Sequence, residues 1–392
     1  MKKQIVFIEP KPTVYAYKIA RTLKLTGKYE TVLVCFSDVD KNLFSKAYDK
    51  FLILELSHKI NFKDFFDFFR KIFSKEGRAF FREIKKMRPY IFQITGPDLF
   101  SLMIMPFLKK SPKVYFAYDI WGLDKRNFLF GEDTRISGGF QKFFERICFK
   151  MADGVLHKGR PGELKLLDYN VNRPDLSFVP GCLEEWVCSK NKKQKKEIHL
   201  VYAGGPWESH YGSVPFSNII EKLIPQKIHL SIFGDFVNEK ERKEFYKKIK
   251  NDQYFHICKK ERADKLNKKI SGYDYGIIPI FYEGSIKDSM KFIEMANRLF
   301  SYIEAGLPII VNKQSKFIAE IVEDNKIGFS IDYEDLKNLK EIIMKQDYGK
   351  MKKNMKKAQE KFKLSKNINI LEEFYEKVRE NLKINQGRGN NG

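Results

Sequence analysis

The chain has 392 residues, enough for two domains, and hydrophobic residues make up 43% of it, which excludes an intrinsically disordered protein. Its formal net charge of +23 favours phosphorylated ligands and anionic surfaces as partners. The basic residues are spread over nearly every predicted helix rather than concentrated on one module, so we expect no specific nucleic acid partner.

The cysteines and the apolar segments limit the class of protein further. The 5 cysteines are widely spaced and form no CxxC pair, which predicts neither a disulfide framework nor a zinc site. No apolar segment has the length of a signal-peptide core or a membrane span. We therefore expect a cytoplasmic protein, with the anionic inner face of the membrane as a further candidate partner.

The first half of the chain alternates short apolar strands with helices. The pattern predicts strands at 5–8, 31–35, 51–54, 90–94, 113–118, 154–157 and 177–179. It predicts helices at 15–25, within 61–88, at 98–109 and in a segment that ends near 152–153. This βαβ alternation is typical of a parallel sheet, so we assign residues 1–188 to an N-terminal Rossmann-like domain.

A second alternating series follows a lysine-rich segment, 189–197, that we interpret as a linker. Its predicted strands lie at 198–202, 229–233, 255–258, 275–278, 308–312 and 327–331, and its predicted helices at 216–223, 239–250, 263–270 and 296–304. A lysine-rich helical tail follows from 333 to 384. We assign 198–365 to a C-terminal Rossmann-like domain, 366–384 to a helix that packs back on the N-terminal domain, and 385–392 to a disordered tail.

The most informative motif runs from Asn297 to Val311 and reads Asn-Arg-Leu-Phe-Ser-Tyr-Ile-Glu-Ala-Gly-Leu-Pro-Ile-Ile-Val. It predicts an amphipathic helix that Gly306 and Pro308 end, followed by a buried strand. A helix N-terminus attracts phosphate, and Arg298 strengthens that attraction. The segment closely resembles the donor-site motif of GT-B glycosyltransferases, particularly the family-4-like group.

This resemblance implies an α/β protein of the GT-B fold, with two Rossmann-like parallel-sheet lobes facing a central cleft and a C-terminal helical tail. It implies a hexosyltransferase-type enzyme that moves a sugar from a nucleotide diphosphate donor, UDP- or GDP-linked, to a hydroxyl of a glycan or lipid-linked saccharide. Such enzymes generally retain the anomeric configuration and work without a metal, so we expect no cofactor beyond this co-substrate. The pathway implied is surface polysaccharide or glycoconjugate synthesis.

The resemblance also implies which residues of the second lobe bind the donor. Arg298 matches the basic position of the motif and is expected near the diphosphate as a catalytic cation, the alternative being a solvated helix residue. Ser301 stands where relatives carry a glutamate that binds the ribose. Glu304, one helical turn later, is a candidate substitute or an ordinary surface carboxylate. The remaining donor candidates are Asn297, the loop glycines Gly204, Gly205 and Gly234, and the basic residues His210, Lys287 and Lys291.

Candidates in the first lobe also follow predicted strands. Asp119 is the most plausible acidic group, either orienting the acceptor hydroxyl or capping a strand end, and Trp121 stands where relatives often carry histidine. Glu9, His157 and Lys158 complete the acceptor candidates, although a lone histidine at a strand end is more often structural.

Three other functions remain open from the sequence. A non-catalytic GT-B protein that binds a glycan or a partner enzyme is consistent with the replacements at Ser301 and Trp121. A sugar-nucleotide epimerase has the same fold and needs carboxylates in its site. A basic nucleic-acid binder predicts affinity that falls steeply with salt.

Overall fold

The computed structural model describes residues 2–55, 70–95, 98–108, 111–118, 120, 138–166, 173–179, 181–188, 197–208, 213–236, 238–249, 253–282 and 297–389. The chain divides into two compact units, each with its own sheet. Unit 1 contains Met1–Pro180 and Asn367–Gly392, and unit 2 contains Gly181–Lys366.

Unit 1 is built on a parallel sheet. Its strands are β1 (Lys3–Glu9), β2 (Tyr29–Cys35), β3 (Lys50–Ile53), β4 (Ile91–Thr95), β5 (Lys113–Ala117), β6 (Gly154–His157) and β7 (Asp175–Ser177). Their order in the sheet is β3-β2-β1-β4-β5-β6-β7, and neighbouring strands are parallel. The order reverses between β1 and β4, which is the switch point where open α/β sheets bind ligands.

The helices of unit 1 cover the sheet with apolar side chains. They are α1 (Val14–Leu25), α2 (Lys41–Phe44), α3 (Lys75–Lys86), α4 (Asp98–Ile104) and α5 (Gly138–Met151). Helix α1 begins after Thr13, whose hydroxyl accepts a hydrogen bond from the Ala16 N–H. The central strands β4 and β5 are buried along their whole length, as expected for a parallel sheet covered on both faces.

Unit 2 repeats this topology with a different sequence. Its strands are β8 (His199–Tyr202), β9 (His229–Phe233), β10 (Phe255–Cys258), β11 (Tyr275–Ile278), β12 (Ile309–Asn312) and β13 (Gly328–Ile331). The order is β10-β9-β8-β11-β12-β13, again parallel, with the switch point between β8 and β11. The prediction of two Rossmann-like parallel sheets is thereby confirmed.

The helices of unit 2 follow the predicted series closely. They are α6 (Phe216–Leu223), α7 (Glu239–Lys248), α8 (Ala263–Ile270), α9 (Asn297–Ala305), α10 (Lys316–Asp324), α11 (Leu339–Met344) and α12 (Tyr348–Lys361). Helix α9 ends at Gly306, which has a φ of 69°, and the Leu307 N–H donates to the Tyr302 carbonyl. The motif glycine therefore ends this helix as predicted.

The last helix, α13 (Leu364–Gly389), starts in unit 2 and continues into unit 1. Within unit 1, the Tyr375 hydroxyl donates to Gln93 Oε1 at 2.5 Å, and the Arg379 guanidinium lies 3.8 Å from the centre of the Tyr90 ring. Among the residues described, no helix combines the length and the apolar character needed to cross a bilayer.

Candidate active site

The carboxyl end of β8 and the loop after it form the centre of the candidate site in unit 2. A methyl group added at Gly205 would overlap the Asp235 carbonyl oxygen, and one added at Gly234 would overlap the backbone of Gly204. The two loops that follow β8 and β9 therefore pack backbone against backbone, which only glycine permits. The glycine backbone of these loops, which carries no side chains, thus lies beside the switch point between β8 and β11.

Arg298, in the first turn of α9, reaches this loop through a tyrosine. Its Nη1 donates to the Tyr202 hydroxyl at 2.5 Å, and its guanidinium carbon lies 4.7 Å from the centre of the Tyr202 ring. A Cβ at Gly204 would stand 2.8 Å from the same hydroxyl oxygen. The Arg298 side chain and the Gly204 backbone therefore converge on Tyr202, and a half-buried cation lies beside the glycine loop.

Tyr302 fixes the position of α9 on the sheet. Its hydroxyl accepts a hydrogen bond from the Ala203 N–H at 2.9 Å and contacts the carbonyl oxygens of Ile277 and Val201 at 3.0 and 3.2 Å. Burial raises the pKa of Tyr302, so the hydroxyl stays protonated and can donate to one of these carbonyls. One hydroxyl thus joins β8, β11 and α9 at the carboxyl edge of the sheet.

Glu304 has internal partners instead of the donor contact that we expected. Its side chain is fully buried, Oε1 accepts from the Leu183 N–H, and Oε2 accepts from Asn267 Nδ2, both at 2.7 Å. The Cys188 N–H donates to the Glu304 carbonyl at 2.7 Å. Glu304 therefore holds the segment 181–188 against α9, and this segment belongs to unit 2 although we had assigned it to the N-terminal domain.

Of the other donor candidates on helices or with basic side chains, the structure describes Asn297 and Ser301. Asn297 begins α9, and Ser301 lies one turn further along the same helix; both side chains are half-buried. His210, Lys287 and Lys291 lie outside the described residues.

Glu9 ends β1 at the switch point of unit 1. It is fully buried, and its carboxyl oxygens accept hydrogen bonds from the N–H and the hydroxyl of Thr13, at 2.7 and 3.3 Å. Burial raises the pKa of Glu9 to about 8, so the carboxyl is largely protonated at neutral pH. The backbone N–H of Thr13, just before α1, is thus hydrogen-bonded to this carboxyl.

His157 and Lys158 lie at the end of β6, three strands away from Glu9, which corresponds to roughly 14 Å at ordinary strand spacing. The His157 ring is fully buried, and neither of its nitrogens has a hydrogen-bond partner among the described residues. Burial lowers the pKa of His157 to about 4, so the imidazole is neutral at pH 7. The Lys158 ammonium lies 3.7 Å from the centre of the Tyr118 ring. Asp119 and Trp121 lie outside the described residues.

Comparison with solved structures identifies the fold. The pneumococcal O-GlcNAc transferase GtfA, solved with UDP and GlcNAc, superimposes with a TM-score of 0.64 at 10% identity, covering 97% of this chain and 100% of that one. TarM gives the same TM-score, 0.64, at 9% identity, covering 96% and 99% of the two chains. These likenesses show that the chain has the GT-B fold, as predicted.

Two further comparisons bear on the family. Residues 208–369 match the model of the glucosyltransferase 3-like, C-terminal domain. A putative UDP-N-acetylglucosamine 2-epimerase from Listeria monocytogenes superimposes with a TM-score of 0.56 at 12% identity, covering 94% of each chain. No curated protein sequence matches the chain. The fold alone therefore does not separate a transferase from an epimerase.

Two tyrosines of this site were absent from our sequence prediction. Tyr202 is the last residue of β8, directly before the glycine loop, and Tyr302 follows Arg298 by four residues on the same face of α9. These positions, next to the glycine loop and on the Arg298 face of the helix, could have identified both tyrosines from the sequence. Their hydroxyl contacts required the folded structure, because Tyr202 and Arg298 are 96 residues apart.

Proposed function

We propose that the chain is a glycosyltransferase that moves a sugar from a nucleotide diphosphate donor to a hydroxyl acceptor. The observation that carries this proposal is the Arg298 guanidinium, which Tyr202 holds beside the side-chain-free loop at Gly204. A cation beside half-buried glycine backbone at the switch point of a parallel sheet suits a diphosphate. The family model at residues 208–369 supports the same class of activity.

In this proposal the donor diphosphate binds at the N-terminus of α9. Arg298 offsets the negative charge that grows on the diphosphate as the sugar departs, and the loop at Gly204 and Gly205 lies beside this cation. Ser301 lies one turn along the helix, where its hydroxyl is the candidate contact for the ribose. Because both oxygens of the Glu304 carboxylate already have internal partners, we do not assign Glu304 to the ribose.

We propose UDP as the preferred nucleotide, since the pneumococcal GtfA structure was solved with UDP. We also propose that the enzyme is family-4-like, retains the anomeric configuration and needs no metal. We propose a glycan or lipid-linked saccharide as its acceptor and polysaccharide or glycoconjugate synthesis as its pathway. It would act in the cytoplasm, at the inner face of the membrane. We propose three acceptor-side residues: Asp119, Trp121 and Lys158. Glu9 and His157 were acceptor candidates too, but their side chains are fully buried, so we do not assign them to an acceptor contact.

Within unit 1, the carboxyl of Glu9 and the imidazole of His157 are both buried. The Glu9 carboxyl is largely protonated at neutral pH, and a pKa of about 4 makes the His157 imidazole a weak base. The donor's own phosphate is therefore our candidate for accepting the proton of the acceptor hydroxyl.

Product analysis tests the proposal. Purified protein is incubated with UDP-, GDP-, ADP- and CMP-sugars, with and without a panel of glycan acceptors, and products are separated by mass and by sugar configuration. We expect transfer that depends on the acceptor. An altered sugar on the intact nucleotide without acceptor would identify an epimerase, and binding without any product would identify a non-catalytic protein.

Variants at Arg298 sharpen this test. Loss of one charge-assisted hydrogen bond predicts a fall in turnover of about 10- to 100-fold for Arg298→Ala. Arg298→Lys keeps the charge without the planar fork, so its turnover should lie between those of the wild type and Arg298→Ala. Arg242→Ala removes an exposed arginine from α7 of the same unit and should leave turnover unchanged. Unchanged kinetics in Arg298→Ala would remove this residue from the site.

A further inference from the structure

A cluster of histidines lies at the amino-terminal edge of the unit 2 sheet, opposite the glycine loops. His199 is the first residue of β8 and His229 the first of β9, and the two face each other in the parallel register. Their rings stack with centroids 4.3 Å apart and an interplanar angle of 7°. His256 on β10 continues the stack, with its centroid 6.2 Å from that of His229. Three of the 6 histidines of the chain thus lie on neighbouring strands.

One carboxylate faces both imidazoles. Glu197 Oε2 lies 3.9 Å from His199 Nε2 and 3.5 Å from His229 Nε2. Among the residues described, these three are the group whose possible ligand atoms all lie within 4.8 Å of one another. Adjacent ligands of a tetrahedral zinc ion, with bonds near 2.1 Å, are about 3.3 to 3.5 Å apart. The observed separations are close to this value.

The burial of the three side chains suits a site that closes on a metal. The His199 and His229 side chains are 26% and 16% exposed, and the Glu197 side chain is 72% exposed. His229 Nε2 is buried and has no hydrogen-bond partner in the part of the chain that the structure describes. Stacking on His199 and an edge contact with Tyr254 set the position of the His229 ring without a metal, and one of the two imidazoles turns out of this parallel stack when both nitrogens bind one ion. A buried nitrogen of this kind needs a ligand, and the exposed carboxylate can rotate to complete it.

We propose that Glu197, His199 and His229 bind one divalent transition metal, with Zn²⁺ as the expected ion. Two imidazoles and a carboxylate suit zinc, and water completes the tetrahedron. The ion joins the first residues of β8 and β9, so it acts as a structural clip for the sheet. The site is about 10 Å along β8 from Tyr202, the last residue of the strand, so it goes beyond the proposed glycosyl transfer and is independent of it.

Metal titration of the whole chain, purified without a histidine tag and treated with chelator, tests this site. We expect one Co²⁺ per chain, visible d–d absorption bands typical of tetrahedral coordination, and displacement of Co²⁺ by Zn²⁺. The unfolding temperature should rise with Zn²⁺ concentration, because the ion binds the folded chain. Absence of saturable binding would overturn the proposal.

Single substitutions locate the ion. His229→Ala and Glu197→Gln should each weaken Co²⁺ binding at least tenfold, whereas His256→Ala, which removes the neighbouring ring of the stack, should leave it unchanged. If His229→Ala fails to fold, the exposed Glu197→Gln decides the question. Unchanged affinity in Glu197→Gln would overturn the assignment. UDP binding should be equal in the wild type and in Glu197→Gln, so failure of the metal site leaves the donor site untouched.

Discussion

The six strands of unit 2 have the same order as the first six strands of unit 1, but the residues at the two switch points differ. In unit 1, β1 ends in the buried carboxyl of Glu9, which accepts the Thr13 N–H just before α1. In unit 2, β8 ends in Tyr202 and a glycine loop, and Arg298 lies beside it. In unit 1 the Thr13 N–H, a donor that a phosphate could use, is already bound to the Glu9 carboxyl. In unit 2 the Arg298 guanidinium supplies a cation. The comparison indicates that the end of the first strand decides which unit can bind an anion.

The largest expected effect comes from filling the close backbone contact in unit 2. Gly205→Ala places a methyl group on the Asp235 carbonyl, so the two loops must separate. We expect a loss of about 2–3 kcal/mol in the free energy of unfolding, measured by urea denaturation. Gly349→Ala in α12 is the control, because its nearest neighbour, Asp347 Oδ1, stands 3.6 Å from the added carbon. Equal losses in both variants would contradict the close packing of the loops.

The next effect concerns the hydroxyl that joins β8, β11 and α9. Tyr302→Phe leaves the Ala203 N–H and the Ile277 carbonyl without this partner, which should cost about 1–3 kcal/mol of unfolding free energy. Tyr348→Phe is the matched control, since the buried Tyr348 hydroxyl has no hydrogen-bond partner among the described residues. A cost in Tyr348→Phe as large as that in Tyr302→Phe would refute the bridging role.

The buried carboxyl of Glu9 predicts that the stability of the chain depends on pH. The pKa of Glu9 is about 8 in the folded chain and near 4.5 when exposed, so the folded chain retains a proton that the unfolded chain releases. The resulting stabilisation is complete below about pH 4.5 and disappears as the pH rises through 8. Between pH 6 and pH 8 the wild type should lose about 2 kcal/mol of unfolding free energy.

Glu9→Gln removes this proton while keeping an oxygen to accept the Thr13 N–H. Urea denaturation at pH 6 and pH 8 should therefore show a smaller loss in this variant than in the wild type. Equal pH dependence in both proteins would show that Glu9 is ionised when folded.

The smallest effect comes from the tyrosine that orients Arg298. Tyr202→Phe keeps the ring under the guanidinium but removes the hydroxyl that accepts from Nη1. We expect a loss of about 1 kcal/mol in donor binding, a five- to sixfold weaker affinity, measured by calorimetry with UDP. Full loss of binding would mean that Tyr202 contacts the donor itself.

The sequence predicted repeating elements better than long-range contacts. Helix α6, helix α8 and strand β10 have the predicted limits, because short apolar segments between turn residues mark them clearly. The helical tail divides into α11, α12 and α13, since lysine-rich surfaces give little signal at helix ends. Strand β7 begins two residues earlier than predicted.

The roles of acidic residues were harder to predict. Glu304 lies one helical turn after Ser301, the expected position of the ribose ligand, but its partners Leu183 and Asn267 are 121 and 37 residues away in the chain. The sequence around Glu9 is likewise that of an ordinary carboxylate in a loop after a strand. Its pKa is raised by burial, which the sequence does not show. A periodic pattern shows which face of an element a residue occupies, but it does not show what lies opposite that face.

Calorimetric titration of UDP into the wild type and into Arg298→Ala tests the central claim most directly. The account predicts one UDP per wild-type chain and at least tenfold weaker binding to the variant, because the guanidinium beside the glycine loop contacts the diphosphate. Equal affinity of the two proteins for UDP, or no binding of UDP or GDP to the wild type, would contradict it.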